Sequence, residues 1–227
     1  MPTALITGAS QGFGHALLRA LADLGWDCAV DARDGAALRA ATAGVPGVRA
    51  VPGDVADPAH RAALVAAAGD RLDLLVHNAS ALGPSPLPAL AAYPLDELRR
   101  VYEVDVLAPL ALTQLALPAL GRAPAPTVVV LSSDAAVEPY PGWGGYGSAK
   151  AALDQMAAVL AVEQHDLRVY AVDPGDMRTA MHQAAFPGED ISDRPEPASV
   201  VPAVLRLLDD RPDSGRYRAA DLLAAAR

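Results

Sequence analysis

Short apolar runs alternate with longer stretches of helical periodicity along almost the whole chain, and this alternation limits the fold more than any other feature. Strands are predicted near residues 4–7, 27–32, 48–51, 72–77, 127–132, 168–172 and 216–218. Helices are predicted at residues 13–24, 35–42, 58–68, 95–120, 146–164 and 198–208. Strands that alternate with helices form βαβ units, in which the sheet is parallel and helices cover both of its faces. We predict an α/β fold: a doubly wound parallel sheet of about seven strands in a three-layer sandwich.

The length of 227 residues, without a repeat or a convincing linker, predicts a single domain over residues 1–227. The formal charge of −9 argues against a nucleic-acid-binding or basic membrane-surface protein, because both need positive fields. We expect no signal peptide, and the apolar region 106–120 is too short and too interrupted by prolines to span a bilayer. Cys28 is the only cysteine, so we expect no disulfide and no metal site. The expected location is the cytoplasm.

Two predicted helices, one around residues 111–117 and one after Tyr146, are apolar around most of their circumference. Helices of this kind must be covered on more than the side that packs against the sheet. We therefore expect a homodimer through this pair, and the alternative is a monomer that exposes alanine-rich patches. Pro109 and Pro118 are expected to kink the first of these helices or to end it early.

A glycine-rich turn at residues 7–14, with the sequence T-G-A-S-Q-G-F-G, directly follows the first strand and opens the first helix. Without Cβ atoms at positions 8, 12 and 14, the backbone can turn tightly and bring its N–H groups close to a pyrophosphate. The positive end of the helix dipole would stabilise the same anion. The turn predicts dinucleotide binding, although its spacing is not the more widespread G-x-G-x-x-G. The alternative is an ordinary strand–helix turn.

The end of the second strand bears on the choice between NAD and NADP. An acidic side chain there would bind the adenosine ribose diol, whereas a guanidinium would hold a 2′-phosphate. Asp31 is one residue too early and is expected to point to the other side of the strand. Ala32 leaves room, and Arg33 follows at once. We predict NADP(H) rather than NAD(H), and the alternative is that Arg33 is a solvated loop residue.

Tyr146 and Lys150 lie four residues apart at the start of a predicted helix, so that their side chains leave the same face. Lys150 is the only lysine and Asn78 the only asparagine, although Lys and Arg together number 18. An ammonium about 4 Å from the phenol would lower its pKa by roughly three units at an effective dielectric near 20. We therefore expect Lys150 to lower the pKa of Tyr146 toward the range useful for acid–base catalysis.

Ser133 ends the fifth predicted strand thirteen residues before Tyr146, where its hydroxyl can donate to a carbonyl oxygen. Its neighbour Ser132 is expected to point to the opposite side, because side chains of a strand alternate.

These motifs, in this order, resemble those of the short-chain dehydrogenase/reductase family, in its branch of small single-domain oxidoreductases with a Rossmann-type fold. The resemblance runs from Thr3 to about Thr179. Residues 7–14 are similar to the family's T-G-x-x-x-G-x-G turn, residues 53–55 to its adenine-holding segment, and residues 77–80 to its N-N-A-G segment beside the ribose. Residues 173–179 resemble the P-G-x-x-x-T segment that contacts the nicotinamide carboxamide. Ser133, Tyr146 and Lys150 match the family's catalytic serine, tyrosine and lysine.

The resemblance implies the role of each residue. Tyr146 would protonate the carbonyl oxygen, Ser133 would polarise the carbonyl, and Lys150 would hold the nicotinamide ribose hydroxyls and lower the phenol pKa. The cofactor would carry the hydride. The expected cofactor-binding residues are Gly8, Ser10, Gln11, Gly12, Phe13, Gly14, Arg33, Asp54, Val55, Asn78, Ala79, Tyr146, Lys150, Pro174, Gly175 and Thr179.

The chain departs from the family pattern at three places. Asp105 stands where the family usually has an asparagine that helps to hold a water relay from the lysine. We expect Asp105 to serve as a catalytic residue that accepts similar hydrogen bonds, at a slower or pH-shifted rate. His77 and Ser80 replace the flanking residues of N-N-A-G. The missing D-G-G ending makes a dimer a better expectation than a tetramer.

Substrate contacts are expected from Ser133, from Tyr140 and Trp143 in the loop before Tyr146, and from Met177 and Met181. The two methionines belong to a predicted substrate lid over residues 176–197.

The remaining histidines receive less specific interpretations. His15, His60 and His165 are expected at the surface or as helix caps, since no metal-ligand spacing exists. His182 is interpreted as a mobile polar loop residue, with substrate contact as the alternative.

The sequence as a whole predicts an NADP(H)-dependent ketoreductase that interconverts a ketone or aldehyde and an alcohol, with Tyr146 as general acid and base. The alternative is a dinucleotide-binding sensor of the same fold without catalysis. The expected partners are a small carbonyl or alcohol substrate and a second copy of the chain, with no nucleic acid and no membrane.

Overall fold

A computed structural model of the protein describes residues 1–225, in which seven strands form one parallel sheet. The strands are β1 (Thr3–Ile6), β2 (Asp27–Ala32), β3 (Val48–Pro52), β4 (Leu74–His77), β5 (Thr127–Leu131), β6 (Arg168–Asp173) and β7 (Gly215–Arg218). Their order is β3-β2-β1-β4-β5-β6-β7, and every neighbouring pair is parallel. The predicted doubly wound parallel sheet is confirmed.

Helices connect the strands. They are α1 (Gly12–Asp23), α2 (Gly35–Thr42), α3 (Pro58–Ala68), α4 (Leu95–Tyr102), α5 (Ala108–Leu120), α6 (Gly144–Glu163), α7 (Ala180–Ala185), α8 (Val201–Asp210) and α9 (Ala219–Ala224). A π-helical turn, Glu103–Leu107, joins α4 to α5. Short 3-10 turns lie at Leu90–Ala92, Asp134–Ala136 and Pro197–Ser199.

Successive residues of the central strands are buried in two different hydrophobic clusters, one on each face of the sheet. Ile6 and Val76 belong to the first cluster, whereas their neighbours Leu5 and Leu75 belong to the second. Helices α1, α2, α8 and α9 supply the first cluster, and α3, α5 and α6 supply the second. Because both faces are covered, the central strands β1, β4 and β5 carry buried apolar residues at successive positions rather than only at alternate ones.

Local sequence explains where several helices begin. Asp34 Oδ1 accepts hydrogen bonds from the Ala36 (2.9 Å) and Ala37 (3.0 Å) N–H groups at the start of α2. Asp57 caps α3 in the same way, and Pro58 occupies its first turn. In contrast, α1 begins without a side-chain cap and without an acidic residue in its first turn. The N–H groups at this helix end therefore remain available to a ligand.

The observed elements differ from the predicted ones in length more than in kind. Element ends shift by at most three residues; α8, for example, begins at Val201 instead of residue 198. The periodicity predicts no helix at α7 or α9, and the structure has both. Each is only six residues long, which is too short for a helical pattern to show in sequence.

The region predicted as one helix over residues 95–120 is helical throughout, because the π turn continues α4 into α5. Pro109 lies in the first turn of α5 and Pro118 in its last turn. Of the two effects expected of these prolines, an early end of the helix is not observed, and a kink stays a prediction.

The same helix, Leu95–Leu120, has 26 residues. By length and composition alone, it could cross a membrane. The expectation that residues 106–120 are too short to do so concerned this part of the helix alone, and the whole helix is long enough only because it begins at Leu95. In the structure 56% of its most apolar window is buried against the rest of the protein, as in the core helix of a globular fold.

The winding of the sheet reverses between β1 and β4, which are neighbours in the sheet although two strands separate them in sequence. In open α/β sheets, ligands bind beyond the carboxyl ends of the strands at such a switch point. The residues that follow β1, β4, β5 and β6 are Thr7, Asn78, Ser132 and Pro174. The fold thus brings these four chain segments to one edge of the sheet.

Candidate active site

The glycine-rich turn after β1 forms one wall of a cleft of about 610 Å³ at this edge of the sheet. Gly8 (φ +70) and Gly12 (φ +60) have left-handed backbone conformations, which favour glycine. A Cβ atom on Gly14 would lie 2.6 Å from the Gly8 carbonyl oxygen and would collide with the Asn78 side-chain amide. With the uncapped N–H groups of α1 behind it, the turn has the shape and polarity to hold a pyrophosphate.

Asn78 ties the end of β4 to the glycine-rich turn. Its Nδ2 donates to the carbonyl oxygens of Thr7 (2.8 Å) and Gly8 (3.0 Å). The N–H groups of Asn78 and Ala79 both donate to Thr7 Oγ1, each at 3.0 Å. A side-chain amide can donate twice, whereas a carboxylate of the same shape can only accept. This geometry therefore requires an asparagine rather than an aspartate at position 78, which is the only asparagine of the chain.

Asp31, at the end of β2, faces the turn and the protein interior. Its Oδ1 accepts a hydrogen bond from the Gly8 N–H (2.7 Å), and its Oδ2 accepts one from His60 Nε2 (2.9 Å). His60 is 8% exposed, so its interpretation as a surface or capping residue was wrong. The interior position is possible because Gly53 has no Cβ, which would collide with the His60 ring. The Asp31–His60 pair thus stabilises the glycine-rich turn through the Gly8 N–H.

Arg33 borders the cleft and is exposed to solvent. Among the residues that the structure describes, none forms a hydrogen bond or an ion pair with its guanidinium. The neighbouring Asp34 caps α2. The hydrogen bonds that its carboxylate accepts from backbone N–H groups lower the pKa of this carboxyl. Asp54 and Val55 border the same cleft. The guanidinium is thus free to bind an anion that enters the cleft.

The segment after β6 closes the cleft from the other side. The Gly175 N–H donates to Asp173 Oδ1 (3.0 Å), and Gly175 has a left-handed conformation (φ +71). A Cβ atom on Gly12 would lie 3.6 Å from Thr179 Cγ2, so that Thr179 lies against the glycine-rich turn. Pro174 and Thr179 border this cleft. Gly175 borders a second cleft that adjoins it.

Tyr146 and Lys150 lie one turn apart at the start of α6, and they are only 8% and 2% exposed. Lys150 Nζ donates to the Leu131 carbonyl oxygen (2.8 Å) and lies 5.4 Å from the centroid of the Tyr146 ring. Both residues border the first cleft. The two side chains therefore converge, as their spacing predicts.

Ser133 follows β5 and begins the 3-10 turn Asp134–Ala136. Its Oγ donates to Asp134 Oδ1 (3.0 Å) and accepts from the Ala135 N–H (3.2 Å). A Cβ atom on Gly147 would lie 2.5 Å from the Ala135 carbonyl oxygen. The glycine thus lets α6 approach this turn, which brings Ser133 and Tyr146 to the same wall of a second cleft.

The second cleft, of about 490 Å³, adjoins the first and shares Tyr146 with it. Its lining includes the predicted substrate residues Ser133, Tyr140, Trp143, Met177 and Met181. Trp143 packs edge-on against Tyr146, with ring centroids 5.7 Å apart. The cleft thus offers apolar and aromatic walls around a few polar groups, as small-molecule sites do.

Two further polar residues border the second cleft: Asp134, which was not predicted to lie there, and His182, for which substrate contact was the alternative interpretation. Asp134 borders it and accepts hydrogen bonds from Ser133 and from the Tyr140 hydroxyl (3.1 Å). His182, interpreted as a mobile loop residue, instead lies on α7 with a side chain that is only 10% exposed. The interpretation was wrong because α7 itself was not predicted. His182 Nε2 is buried and has no hydrogen-bond partner among the described residues.

Burial sets the protonation of the catalytic candidates. The pKa of Tyr146 is raised, first by burial and then by the negative charge of Asp105, and hydrogen bonds from Ser80 and Ser133 only partly offset this. Burial lowers the pKa of Lys150, against the opposing charges of Asp105 and Asp154. The expectation that Lys150 lowers the phenol pKa was therefore wrong: the ammonium is directed to the Leu131 carbonyl, and desolvation of the phenol prevails.

Asp105 lies in the π turn behind Tyr146 and is completely buried. Its Oδ1 accepts a hydrogen bond from the Ala81 N–H (2.7 Å), and its Oδ2 accepts one from Ser80 Oγ (3.0 Å). Burial raises the pKa of Asp105, and the Lys150 charge acts in the opposite direction. Asp105 borders neither of the two clefts, whereas Ser80 borders the first.

Arg216, on β7, connects three segments of the site by hydrogen bonds. No local sequence pattern predicts this role. Its guanidinium donates to Asp154 Oδ2 (3.0 Å), to the Ser133 carbonyl oxygen (2.9 Å) and to Asp173 Oδ2 (3.2 Å). Ser132 Oγ donates to the same Asp154 Oδ2 (2.8 Å). One side chain therefore links the ends of β5 and β6 to α6.

Most predicted cofactor-binding residues line the first cleft: Gly8, Ser10, Gln11, Gly12, Phe13, Arg33, Asp54, Val55, Asn78, Ala79, Tyr146, Lys150, Pro174 and Thr179. Residues 1–225 contain no group of three or more His, Cys, Asp or Glu side chains that could hold a metal ion.

Comparison with known proteins agrees with this geometry. Residues 2–190 match the model of the short chain dehydrogenase family, so the chain belongs to the short-chain dehydrogenase/reductase family of oxidoreductases. Its neighbours in structure include a short chain dehydrogenase of Shigella flexneri 2a complexed with NADP (TM-score 0.89, 30% identity, covering 96% of this chain and 97% of that one). Another, from Escherichia coli CFT073, is complexed with NADPH (TM-score 0.89, 31% identity, 96% of each chain).

The curated relatives are oxidoreductases, and several of them are named as reductases. Sepiapterin reductase of Rattus norvegicus is 34% identical over 199 residues, covering 80% of this chain and 76% of that protein. L-xylulose reductase of Bos taurus is 32% identical over 221 residues, covering 92% and 89%. The uncharacterized oxidoreductase YciK of Escherichia coli K12 is 39% identical over 141 residues, and the chain spans only 55% of its length. The protein is thus a short-chain dehydrogenase/reductase.

The close contact at Gly14 gives a test of the cofactor cleft. We expect Gly14→Ala to weaken NADPH binding at least about tenfold, because the new Cβ must displace the Gly8 carbonyl or the Asn78 amide. Fluorescence titration with NADPH measures the dissociation constant. Gly121→Ala is the matched control, since its Cβ meets nothing nearer than the Leu117 carbonyl oxygen at 3.4 Å. Equal affinity in the two variants would contradict the assignment.

Proposed function

We propose that the protein is an NADP(H)-dependent reductase that converts the carbonyl group of a small ketone or aldehyde to an alcohol, and the alcohol back to the carbonyl. The observation that carries this proposal is the position of Tyr146, which borders both the cofactor cleft and the adjoining cleft that contains Ser133. A nicotinamide dinucleotide supplies the hydride when bound, and the chain supplies the proton and the orientation.

Tyr146 acts as the general acid in reduction. Because burial and the Asp105 charge raise the pKa of its phenol, the side chain keeps its proton at neutral pH and can donate it to the developing alkoxide. Ser133 lies in the same wall, and its hydroxyl exchanges its bond to Asp134 for one to the substrate carbonyl. Lys150 lies beside the phenol, with its Nζ 5.4 Å from the centroid of the Tyr146 ring, and is placed to hold the nicotinamide ribose hydroxyls.

Arg33 supports a preference for NADP(H) over NAD(H). Its guanidinium is exposed at the end of β2 and borders the cleft, where it can hold the 2′-phosphate in a bidentate manner. The carboxylate that could bind a free ribose diol, Asp31, is occupied by Gly8 and His60. The structural neighbours complexed with NADP and NADPH support the same choice.

The substrate occupies the second cleft, with Tyr140, Trp143, Met177 and Met181 in contact. The segment 176–197, which includes α7, serves as its lid within a single domain over residues 1–227. The cleft of about 490 Å³ suits a small molecule.

The protein works in the cytoplasm as a homodimer. Leu107, Leu110 and Leu115 are exposed in the helical region that ends with α5, and Val159 and Val162 are exposed on α6. Leu107 and Leu110 are three residues apart, as are Val159 and Val162, so each of these pairs lies on one helix face. Such apolar faces are stabilised when a second copy covers them.

Tyr146→Phe removes only the phenol hydroxyl and tests the proposed acid. We expect kcat for a panel of ketones and aldehydes to fall at least about 100-fold, the usual effect of losing a general acid, while the NADPH dissociation constant stays the same. Loss of nicotinamide absorbance measures turnover. Tyr102→Phe, in a tyrosine outside both clefts, is the control. Unchanged turnover in Tyr146→Phe would overturn the proposal, and tight NADPH binding without any turnover by the wild type would favour the non-catalytic sensor.

Arg33→Asp tests the cofactor preference. We expect the KM for NADPH to rise at least about tenfold and the KM for NADH to rise much less, because the 2′-phosphate then meets a carboxylate instead of a guanidinium. Steady-state kinetics with both cofactors measure the ratio. Arg19→Asp, an equal change of charge at an exposed site of α1, controls for the global field. A ratio that is the same in both variants contradicts the role of Arg33.

The dimer is tested by light scattering after size-exclusion chromatography. We expect the wild type to have twice the chain mass of 23.3 kDa and Leu115→Glu to have the mass of one chain, because a buried unpaired carboxylate opposes association. Leu24→Glu, at another exposed leucine, leaves the dimer intact. A wild-type mass of one or of four chains refutes this assembly.

A further inference from the structure

Arg216 contacts three segments of the candidate active site, although it borders neither cleft. Its Nη2 donates to the Ser133 carbonyl oxygen (2.9 Å) and to Asp173 Oδ2 (3.2 Å). Its Nε donates to Asp154 Oδ2 (3.0 Å). A guanidinium is planar and carries its five N–H donors in a rigid fork. The three acceptors are therefore held at fixed positions relative to one another.

The bond to Ser133 fixes the backbone that carries the catalytic serine. Ser133 has an extended backbone (φ −160°, ψ 157°). Its carbonyl group and its side chain share one Cα atom, so a hydrogen bond that holds the carbonyl restricts rotation about the Ser133 backbone bonds. The Ala135 N–H adds a second restraint by donating to Ser133 Oγ (3.2 Å). The hydroxyl is thus held at one place in the wall of the second cleft.

The bond to Asp173 connects Arg216 to the place where the two clefts meet. Asp173 is the last residue of β6, and its Oδ1 accepts a hydrogen bond from the Gly175 N–H (3.0 Å). Between them lies Pro174, which borders both clefts, as Tyr146 does. A hydride can pass from the cofactor to a substrate only where these clefts meet. Through Asp173, Arg216 thus fixes the wall at that place.

The bond to Asp154 connects Arg216 to α6, the helix that carries Tyr146 and Lys150. Asp154 Oδ2 also accepts a hydrogen bond from Ser132 Oγ (2.8 Å), whereas Asp154 Oδ1 is buried and has no hydrogen-bond partner among residues 1–225. A carboxylate that is so incompletely hydrogen-bonded needs a nearby positive charge, and Arg216 supplies one in direct contact. Loss of this charge would weaken the contact between α6 and the end of β5.

The sheet itself does not require a guanidinium at position 216. Strand β7 pairs in parallel with β6, and Arg216 lies opposite Ala171 in this pair. Parallel pairing uses main-chain groups, which every residue except proline supplies in full. The three side-chain bonds to functional segments are therefore not explained by strand pairing.

We propose that Arg216 is a positioning residue that holds the Ser133 hydroxyl at a fixed distance from the place where the two clefts meet, so that the substrate carbonyl and the hydride donor are aligned. Arg216 acts through Ser133 and Asp173 and contacts neither the substrate nor the cofactor. This role rests on the function proposed above, because it serves that reaction. A misplacement of reacting groups by about 1 Å lowers a rate by about 100-fold.

Arg216→Ala is compared with Arg206→Ala, a matched control outside both clefts. Arg206 donates through Nε to Asp210 Oδ2 (2.9 Å) and through Nη1 to the Leu222 carbonyl oxygen (2.8 Å). The Arg216 and Arg206 side chains are 26% and 32% exposed. Because both variants lose an ion pair and a bond to a carbonyl, we expect similar losses of unfolding free energy, measured by urea denaturation.

The two variants are expected to differ in catalysis. We expect Arg216→Ala to lower kcat for reduction of the probe 2,3-butanedione by about 10- to 100-fold, and stopped-flow absorbance in a single turnover to show the same decrease in hydride transfer. The NADPH dissociation constant changes by less than about threefold, because the glycine-rich turn and Arg33 make no contact with Arg216. Arg206→Ala keeps the wild-type kcat.

Added guanidinium gives a readout that a loss of stability cannot produce. Since the Arg216 side chain reaches the surface, guanidinium from solvent can occupy the space that it leaves. We expect millimolar guanidine hydrochloride to raise kcat of Arg216→Ala in a saturable manner, equal sodium chloride to have no such effect, and Arg206→Ala to gain nothing. Arg216→Lys stays slow, because a single nitrogen lacks the fork that bridges the three acceptors.

Time-resolved fluorescence anisotropy of bound NADPH tests the role without turnover. The reduced nicotinamide is the fluorophore, so the decay of the anisotropy reports motion of the reacting ring. We expect faster local motion of this ring in Arg216→Ala than in the wild type, and the wild-type decay in Arg206→Ala.

Failure of the positioning role differs from failure of the proposed function. If Arg216→Ala keeps the wild-type kcat and anisotropy decay, the role is overturned and the function stands. Equal losses of kcat in the two alanine variants, or no gain from guanidinium, also overturn the role. If Arg216→Ala does not fold, Arg216→Lys and Arg206→Lys replace the alanine pair in the kinetic and anisotropy measurements. A wild type that reduces no carbonyl refutes the proposed function, whereas the anisotropy still decides whether Arg216 positions the nicotinamide.

Discussion

The burial of both faces of the sheet is the constraint on which the rest of this structure depends. Leu5 and Leu75 pack against α3, α5 and α6, and Ile6 and Val76 pack against α1 and α8. No strand interior can then carry an unpaired polar side chain without a large desolvation cost. Polar chemistry is confined to the positions where strands end, and the reversal of winding between β1 and β4 opens a space at those positions. The carboxyl ends of β1, β4, β5 and β6 lie at this edge of the sheet. The segments that follow these strands therefore meet there, and they contain the glycine-rich turn, Asn78, Ser133 and Pro174.

Placing charges behind this edge requires that each has a partner. Lys150 has the Leu131 carbonyl, Asp105 has Ser80 and Ala81, and Asp154 has Ser132 and Arg216. A buried ion that lost its partner would cost several kcal/mol. The same burial decides the direction of the Tyr146 pKa. Because desolvation and Asp105 both favour the neutral phenol, the side chain is prepared as a proton donor, whereas a phenol with a lowered pKa would be prepared as an acceptor.

Features encoded in neighbouring residues could be predicted from the sequence. The sheet follows from apolar runs, the cofactor turn from three glycines in eight residues, and the convergence of Tyr146 and Lys150 from their spacing on one helix. Features that join distant segments could not: Arg216 meets Asp154 across 62 residues and Ser133 across 83, and His60 is buried only because α3 carries it to Asp31. The phenol pKa was predicted in the wrong direction because spacing gives the direction of a side chain but neither its hydrogen-bond partner nor its desolvation.

Ser80 and Asp105, two of the places where the chain departs from its family's pattern, are better understood together than singly. With a glycine at position 80, Asp105 Oδ2 would lose its donor, and an unsatisfied buried acceptor costs about 1–3 kcal/mol or more when charged. With an asparagine at position 105, the Ser80 hydroxyl would still find an acceptor. Hydrogen bonding alone thus explains why Asp105 needs Ser80, and it does not explain why a carboxyl is present at all. The carboxylate differs from an asparagine in its negative charge, which raises the pKa of Tyr146 and so favours the neutral phenol.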